Sequence, residues 1–353
     1  MQQGLKTLLM ATAATALAVS SAAAQDRTTI AFVSFTQDIT DLYGQVLSGL
    51  RGGLDGAGFD YSMTTAAPPS PDDFAGMDRI LADVATVAPD FAVIGGASFE
   101  LIEDRIRQIE EGGTTTIIVD VLPTSLPEPP DVSPLTWIAV DHREMGRVGG
   151  EYMGQQFCQG DKDQIRTVLF WGPAASEISQ NRIGGAVDAL EQELEACGKS
   201  LEIAQEVFAD FNRERSFNLM TGIATAQPNL DLVIGANSNT ALGVMDAMDS
   251  LGLLGGQTQI LGMGGQLDEL AAICRGDIAA AGFRDANRMG RVTAEAIIAA
   301  AAGDAESVPE ITSADLPVLY DCEGVFATVP RVMLELDGFR TAIPASMWDE
   351  YAN

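Results

Sequence analysis

The segment FAVIGGASFELIEDRIRQIEEGGTTTIIVD, residues 91–120, decides the fold of this chain. An apolar run at 91–95 predicts a buried strand, an amphipathic stretch at 99–112 predicts a helix, and a β-branched run at 115–120 predicts a second strand. A strand, a helix and a strand in this order are typical of a βαβ unit. Such units build parallel sheets with helices on their faces.

The same alternation continues on both sides of this segment. The sequence predicts strands at 28–35, 61–65 and 137–140 in a first series, and a second series at 167–171, 201–207, 232–236, 259–263 and 279–283. Helical patterns separate most of these strands, beginning with one near Asp41. Two such series predict an α/β fold with two similar halves, each built on a parallel sheet. The proline-rich stretch at 123–134 is predicted to be a surface loop just before the boundary.

Composition limits the possible partners. The 353 residues suffice for two domains, and 50 acidic against 20 basic residues leave a formal net charge of −30. This charge has the wrong sign for binding nucleic acid or anionic lipid, so we exclude both. The one histidine, His142, rules out a His-rich metal site. We expect no metal and no cofactor.

Residues 1–24 have the three-part pattern of a secretory signal peptide. A charge at Lys6 is followed by an apolar run at 8–19 and by three alanines at 22–24. A membrane-spanning helix is the alternative, but the apolar run is too short for one. We expect cleavage after Ala24 and export from the cytoplasm.

Four cysteines fit an oxidising compartment, and none forms a CxxC pair. Three pairings are possible for Cys158, Cys197, Cys274 and Cys322. We favour Cys158 with Cys197 and Cys274 with Cys322, because each bond would then close within one local region. Free buried thiols are the alternative.

The sequence lacks the common catalytic motifs. It contains no Walker A motif, no GxGxxG, no GxSxG elbow, no HExxH and no EF-hand loop. A catalytic pair of His142 with Asp141 is the enzymatic alternative that remains. We predict that the protein has no catalytic residues.

Polar residues follow the predicted strands. In open α/β sheets ligands bind beyond the carboxyl ends of the strands, so these positions are candidate binding residues. Two half-proteins that face each other across a cleft would direct two such polar rims at one small molecule. The positions are Asp38, Asp41, Ser98, Asp120, 141–142, 181–182, 237–239 and 284–285.

Four stretches together resemble a known family. They are WIAVDHREMG at 137–146, QNRIGGAVDAL at 180–190, GANSNTALGVMDAM at 235–248 and ILGMGGQLDELAAICRG at 260–276. In this order they are similar to the type I periplasmic solute-binding proteins of the ribose-binding kind. Within that family the local motifs look closest to the branch of the furanosyl-borate autoinducer receptors.

The resemblance implies an α/β fold of two doubly wound parallel-sheet domains, or lobes, joined by a three-crossover hinge. The crossovers would fall near Val140, Arg284 and Leu316. The N-terminal lobe would comprise residues 25–140 with 285–316, and the C-terminal lobe residues 141–284 with 317–353. Both Cys274 and Cys322 would then belong to one lobe, which supports their pairing.

The resemblance also assigns ligand contacts residue by residue. Arginines would donate to ligand hydroxyls, Asp120 would accept from them, and an aromatic ring would cover the C–H side of a sugar. The implied ligand-binding residues are Asp38, Tyr43, Asp120, Arg182, Phe211, Asn237, Ser238 and Arg284. In the family, ribose binders carry an aspartate where this chain has Gly264.

Each assignment has a structural alternative. Arg182 suits a surface ion pair on a helix, and Arg284 suits a hinge salt bridge with Asp285. Asp120 suits a turn cap and Asn237 a helix N-cap. The aromatic rings of Tyr43 and Phe211 suit the core.

The function that the resemblance implies is non-enzymatic binding of a small polyhydroxylated ligand in the periplasm. The ligand would be a sugar, a polyol or a furanose derivative, and the partner would be the permease of an ABC importer. The alternative partner is a membrane-bound sensor histidine kinase, to which the protein would report the same class of ligand or an autoinducer-like signal. We expect a monomer.

Overall fold

A computed structural model describes residues 27–35, 42–70, 73–95, 99–313, 316–329, 331–335 and 337–351. The strands are β1 (Thr28–Val33), β2 (Tyr61–Ala66), β3 (Phe91–Gly95), β4 (Thr115–Val119), β5 (Thr136–Ala139), β6 (Gln164–Trp171), β7 (Ser200–Phe208), β8 (Leu232–Gly235), β9 (Gln259–Gly264), β10 (Ala280–Phe283), β11 (Ile311–Ser313) and β12 (Val318–Leu319).

The α-helices follow in the same chain order. They are α1 (Leu42–Gly56), α2 (Phe74–Val87), α3 (Phe99–Glu111), α4 (His142–Cys158), α5 (Glu177–Ala196), α6 (Arg213–Ala226), α7 (Ser238–Ser250), α8 (Leu267–Arg275), α9 (Ala286–Ala301), α10 (Cys322–Thr328), α11 (Arg331–Leu334), α12 (Asp337–Ala342) and α13 (Ala345–Tyr351).

The strands form two six-stranded sheets. The first has the order β11-β5-β4-β3-β1-β2 and the second β12-β10-β9-β8-β6-β7. All neighbouring strands are parallel except β10 and β12. We call the first sheet with α1–α3 and α9 the first lobe, and the second sheet with α4–α8 and α10–α13 the second lobe. The predicted α/β class with two parallel-sheet domains is confirmed.

The chain crosses between the sheets three times. It leaves the first sheet after Ala139, leaves the second sheet after Phe283, and crosses a third time between Ser313 and Val318. Helix α9 therefore packs on α1 in the first lobe although it follows β10 of the second. Strands β11 and β12 are too short to produce a readable alternation, and the sequence analysis missed both.

Helix α4 was also missed, and its glycines explain why. Glycine lowers helix propensity, so the GRVGGEYMG pattern at 146–154 does not predict a helix. The same glycines let α4 lie directly on α5. A Cβ at Gly146 would lie 2.0 Å from the carbonyl oxygen of Arg182, and one at Gly150 would lie 2.1 Å from that of Ala186. This close approach brings the first residue of α4, His142, beside Arg182 on α5.

The C-terminal segment folds back onto the second lobe. Helices α10 and α12 pack on α8, and a disulfide joins Cys274 at the end of α8 to Cys322 at the start of α10. A second disulfide joins Cys158 to Cys197, at the ends of α4 and α5. These are the pairings favoured from the sequence. Among the described residues, no helix combines the length and the apolar character needed to cross a bilayer.

Candidate ligand-binding site

The carboxyl ends of strands from both lobes surround one cavity, which together with the open solvent at its mouth has a volume of about 680 Å³. Asp120 follows β4 in the first lobe, while Asn237, Gly265 and Arg284 follow β8, β9 and β10 in the second. The cavity is lined by seven of the eight predicted site residues, namely Tyr43, Asp120, Arg182, Phe211, Asn237, Ser238 and Arg284. The eighth, Asp38, lies outside the described residues, as do Asp41 and Ser98.

Asp120 is a buried carboxylate, 2% exposed, on a left-handed backbone with φ of 72°. Aspartate tolerates this conformation better than most residues, and here it directs the carboxylate to the cavity. Oδ1 lies 3.3 Å from Nε of Arg284, which is itself 4% exposed. Burial raises the pKa of Asp120, and the guanidinium of Arg284 opposes this rise.

The Asp120–Arg284 pair makes an ion pair without a hydrogen bond. Oδ1 of Asp120 and Nε of Arg284 are both buried, and neither has a hydrogen-bond partner among the described residues. Nη1 of Arg284 donates to the sulfur of Met145 at 3.6 Å. The hinge salt bridge with Asp285 is therefore wrong for Arg284, because the Asp285 carboxylate caps α9 by accepting from the Arg288 amide.

Arg182 is a buried wall residue, only 2% exposed, which excludes the surface ion pair considered for it. Its Nη1 donates to the carbonyl oxygens of Ala236 at 2.9 Å and Met263 at 3.4 Å. Its Nε donates to Nδ1 of His142 at 3.2 Å. Burial, followed by the like charge of Arg284, lowers the pKa of Arg182 to about 9.

His142 supports this wall and is not part of a catalytic pair with Asp141. Nε2 of the imidazole lies 2.8 Å from the Asp120 carbonyl oxygen, and the Asp141 carboxylate caps α4 by accepting from the Glu144 amide. Burial and the charges of Arg182 and Arg284 hold the pKa of His142 well below its usual range. The ring is therefore neutral at pH 7.

Asn237 and Ser238 combine a structural role with a place in the wall. Asn237 Oδ1 caps α7 by accepting from the amide and the hydroxyl of Thr240. The Ser238 hydroxyl donates to Glu269 Oε2 at 2.6 Å, so its proton is not available to a ligand in this arrangement. A Cβ on Gly264 would lie 2.0 Å from the Ser238 oxygen, and this serine therefore occupies the space that a side chain at 264 would need.

Glu269 is a buried carboxylate that the sequence analysis did not single out. Oε2 also accepts from the Gly265 amide at 2.8 Å. Burial raises the pKa of Glu269, and the hydrogen bonds from Ser238 and Gly265 oppose the rise. Glu269 lies in α8 among apolar residues, and no motif distinguishes it in the sequence. By accepting these two hydrogen bonds, Glu269 holds Ser238 and Gly265 in place on the cavity surface.

Two aromatic residues combine core packing with lining the cavity. Phe211 follows Asp210, both with left-handed φ of 57° and 52°, and packs against the apolar cores of both lobes. Tyr43 is buried in the core of the first lobe, edge-on to Phe35 with ring centroids 5.2 Å apart. The expectation of core packing and that of a cavity-lining position both hold for these rings.

The residues that the sequence analysis missed on this surface are mostly apolar or amide side chains. Phe35, Gln45, Ile178, Gln266 and Met263 also line the cavity. Among the described residues, no group of three or more His, Cys, Asp or Glu side chains is placed to hold a metal ion.

The chain is similar in sequence to known proteins. The family model of the periplasmic binding protein domain matches residues 30–305. The ribose import binding protein RbsB of Escherichia coli K12 is 27% identical over 143 residues, 40% of this chain and 44% of that protein. The chain thus spans about half the length, or less, of the curated relatives it matches.

Solved structures share the fold. A periplasmic solute-binding protein from Actinobacillus succinogenes with bound D-allose matches 84% of this chain and 98% of its own at a TM-score of 0.69 and 17% identity. A Mycobacterium smegmatis protein in complex with β-D-fucofuranose matches 89% of this chain and 97% of its own, at a TM-score of 0.73 and 16% identity. With two parallel-sheet lobes around one polar cavity, this chain belongs to the periplasmic binding protein domain family, a family of periplasmic, non-enzymatic solute-binding proteins.

Proposed function

We propose that this protein binds a small polyhydroxylated ligand, a sugar, polyol or furanose derivative, and delivers it to the permease of an ABC importer. The observation that carries the proposal is the incomplete pair of Asp120 and Arg284. Both atoms that face each other are buried and lack hydrogen bonds, although they lie 3.3 Å apart. An unmade hydrogen bond at a buried polar atom is costly, so a ligand that completes both is favoured.

A hydroxyl group is suited to this pair. Its proton can go to the carboxylate of Asp120 while its oxygen accepts from Nε of Arg284. Hydrogen bonds to charged groups contribute about 1.5–3 kcal/mol each, and a ligand with several hydroxyls can form several. The ring of Phe211 supplies an apolar surface for the C–H side of a sugar.

The proposed function also includes two lobes that close on the ligand. We assign residues 25–140 with 285–316 to the N-terminal lobe and 141–284 with 317–353 to the C-terminal lobe. Ligand contacts from both lobes would favour the closed arrangement over an open one. Export by the signal peptide at 1–24 and action as a monomer belong to the same proposal.

A thermal-shift screen tests the ligand class. Pentoses, hexoses, polyols and borate-complexed furanones are added to the purified protein. Saturation at a hundred times the dissociation constant stabilises the native state by about 2.7 kcal/mol, which raises the melting temperature measurably. Native mass spectrometry of freshly exported protein would identify a ligand that co-purifies.

Variants locate the binding site. Arg182→Ala and Arg284→Ala should each abolish the shift while the ligand-free protein stays folded. Arg105→Ala serves as the matched control, because Arg105 pairs with Asp78 on the surface of the first lobe, outside the cavity. Unchanged affinity in both cavity variants would show that the ligand binds elsewhere.

A further inference from the structure

A contact beside the cavity joins the two lobes directly. The Glu177 carboxylate is on the first residue of α5, and Oε1 accepts a hydrogen bond of 2.6 Å from the backbone amide of Phe99, the first residue of α3. Helix α5 packs on α4 in the second lobe, whereas α3 packs on α2 and β4 in the first. Separation of the lobes would therefore break this hydrogen bond.

Both ends of this contact are fixed within their lobes. Phe99 is buried and packs against Trp137 of β5, with ring centroids 5.3 Å apart. Glu177 follows Ser176, which caps α5. The next residue, Ile178, is buried in the apolar core of the first lobe although it belongs to α5 of the second. Closure thus buries Ile178 and partly buries the adjacent Glu177 carboxylate, at the edge of the cavity that Ile178 lines.

We propose that Glu177 is a positioning residue that fastens the closed lobes and makes ligand affinity depend on protonation, without contacting the ligand. Closure takes its carboxylate partly out of water and pairs it with an amide but with no cation among the described residues. The charge that acts on it from α3 is that of the exposed Glu100, which repels it. From α5 the carboxylate accepts a hydrogen bond from the backbone amide of Glu177 itself.

The sign of the pH effect follows from these surroundings. Burial, opposed by the hydrogen bond from Phe99, raises the pKa of Glu177 to about 7 in the closed arrangement. An open arrangement would return the side chain to water and to an ordinary pKa of about 4.3. Closure therefore takes up a proton between these values, and the closed state weakens as the pH rises toward and through 7.

Affinity against pH tests the proposal, and this measurement rests on the proposed function. The probe is the tightest binder among D-ribose, D-allose, D-arabinose and D-fucose, titrated from pH 5.5 to 8.0. Wild-type affinity should fall on the order of tenfold over this range. Glu177→Gln keeps an acceptor for the Phe99 amide but cannot titrate, so its affinity should stay nearly constant.

The matched control is Glu214→Gln, which removes the same charge from the first turn of α6 in the second lobe, on an exposed side chain outside the cavity. It should reproduce the wild-type profile. A tenfold fall that persists in Glu177→Gln, or a wild-type profile without a fall, would overturn the proposal.

A second measurement needs no ligand and separates this proposal from the proposed function. The closed fraction of the ligand-free protein, followed by small-angle X-ray scattering, should fall from pH 5.5 to 8.0 in the wild type and change less in Glu177→Gln. If no sugar of the panel binds, this comparison alone decides. The same pH dependence of the scattering profile in the two proteins would then refute the role of Glu177.

Discussion

Arg182 and His142 fix each other in a single protonation state. An arginine has no acceptor, so the 3.2 Å hydrogen bond from its Nε requires a lone pair on Nδ1 of the histidine. The proton of the neutral ring is then on Nε2, where it is donated to the Asp120 carbonyl oxygen at 2.8 Å. The imidazole thus connects α5 and α4 of the second lobe to the end of β4 in the first, behind the cavity wall.

We predict that the imidazole of His142 does not titrate between pH 5 and 8 in the folded protein. Its pKa is held well below the usual range by burial and by two guanidinium groups. The chain has one histidine, so NMR of tag-free protein needs no assignment of its ring signals. Protein unfolded in urea is the control and should titrate near pH 6.5. A folded-state shift in this range would contradict the buried arrangement.

The same depression predicts a loss of stability in acid. Unfolded chains take up the histidine proton below about pH 6.5, and the folded state does not, so the free energy of unfolding falls as the pH drops from 6.5 toward 5. In His142→Gln this contribution disappears. Urea unfolding at pH 7 and pH 5 should therefore show a smaller acid loss for the variant than for the wild type. Equal losses would mean that His142 is accessible to protons when folded.

Asp120 and Arg284 should be coupled in stability. Arg284→Met leaves a buried carboxylate without its nearest cation and should cost about 3–5 kcal/mol of unfolding free energy. The double variant Asp120→Asn with Arg284→Met removes both charges and should recover a large part of this loss. Urea denaturation of the wild type, both single variants and the double variant measures the coupling. Strictly additive losses would show that the two groups do not interact.

Most strands of the two sheets could be predicted from the sequence, because each strand is a short apolar or β-branched run of neighbouring residues. The strand β3 at 91–95 lies at the predicted bounds, and helix α3 at 99–111 ends one residue before the predicted end, since apolar runs and helical spacing are local signals. Helix α4 could not be predicted in this way, because its glycines serve a contact with α5 that is remote in sequence. The short helices after Cys322 were missed as well.

In the binding site, too, some residues could be predicted from the sequence and others could not. Arg182 and Arg284 were found through the resemblance to a family and because polar residues that follow predicted strands were candidate binding residues, and both line the cavity. Glu177 and Glu269 were missed, since each depends on a partner on another element, Phe99 in one case and Ser238 in the other. Such pairings are set by the tertiary arrangement and leave no pattern along the chain.

The disulfide between Cys274 and Cys322 should hold the C-terminal segment on α8. Closing a loop with a sequence separation of 48 residues restricts the unfolded chain, and its loss typically costs about 2–4 kcal/mol. In Cys274→Ser with Cys322→Ser we expect this loss in urea unfolding, together with earlier proteolysis after residue 322. Removing Cys158 and Cys197 is the control, because that bond ties α4 to α5 instead. Tail proteolysis at equal rates in both variants would contradict this role.

The contact between α4 and α5 should tolerate no side chain at position 146. In Gly146→Ala the new methyl group would lie 2.0 Å from the Arg182 carbonyl oxygen, so the helices must separate. We expect the free energy of unfolding, measured in urea, to fall by about 1–3 kcal/mol. Ligand binding should weaken as well, because Arg182 moves. Gly52→Ala is the matched control. That glycine lies in α1 with no atom within 4 Å of its added Cβ, so alanine should stabilise the helix by about 0.5–1 kcal/mol. Gains of equal size at both positions would mean that the two helices are not in close contact.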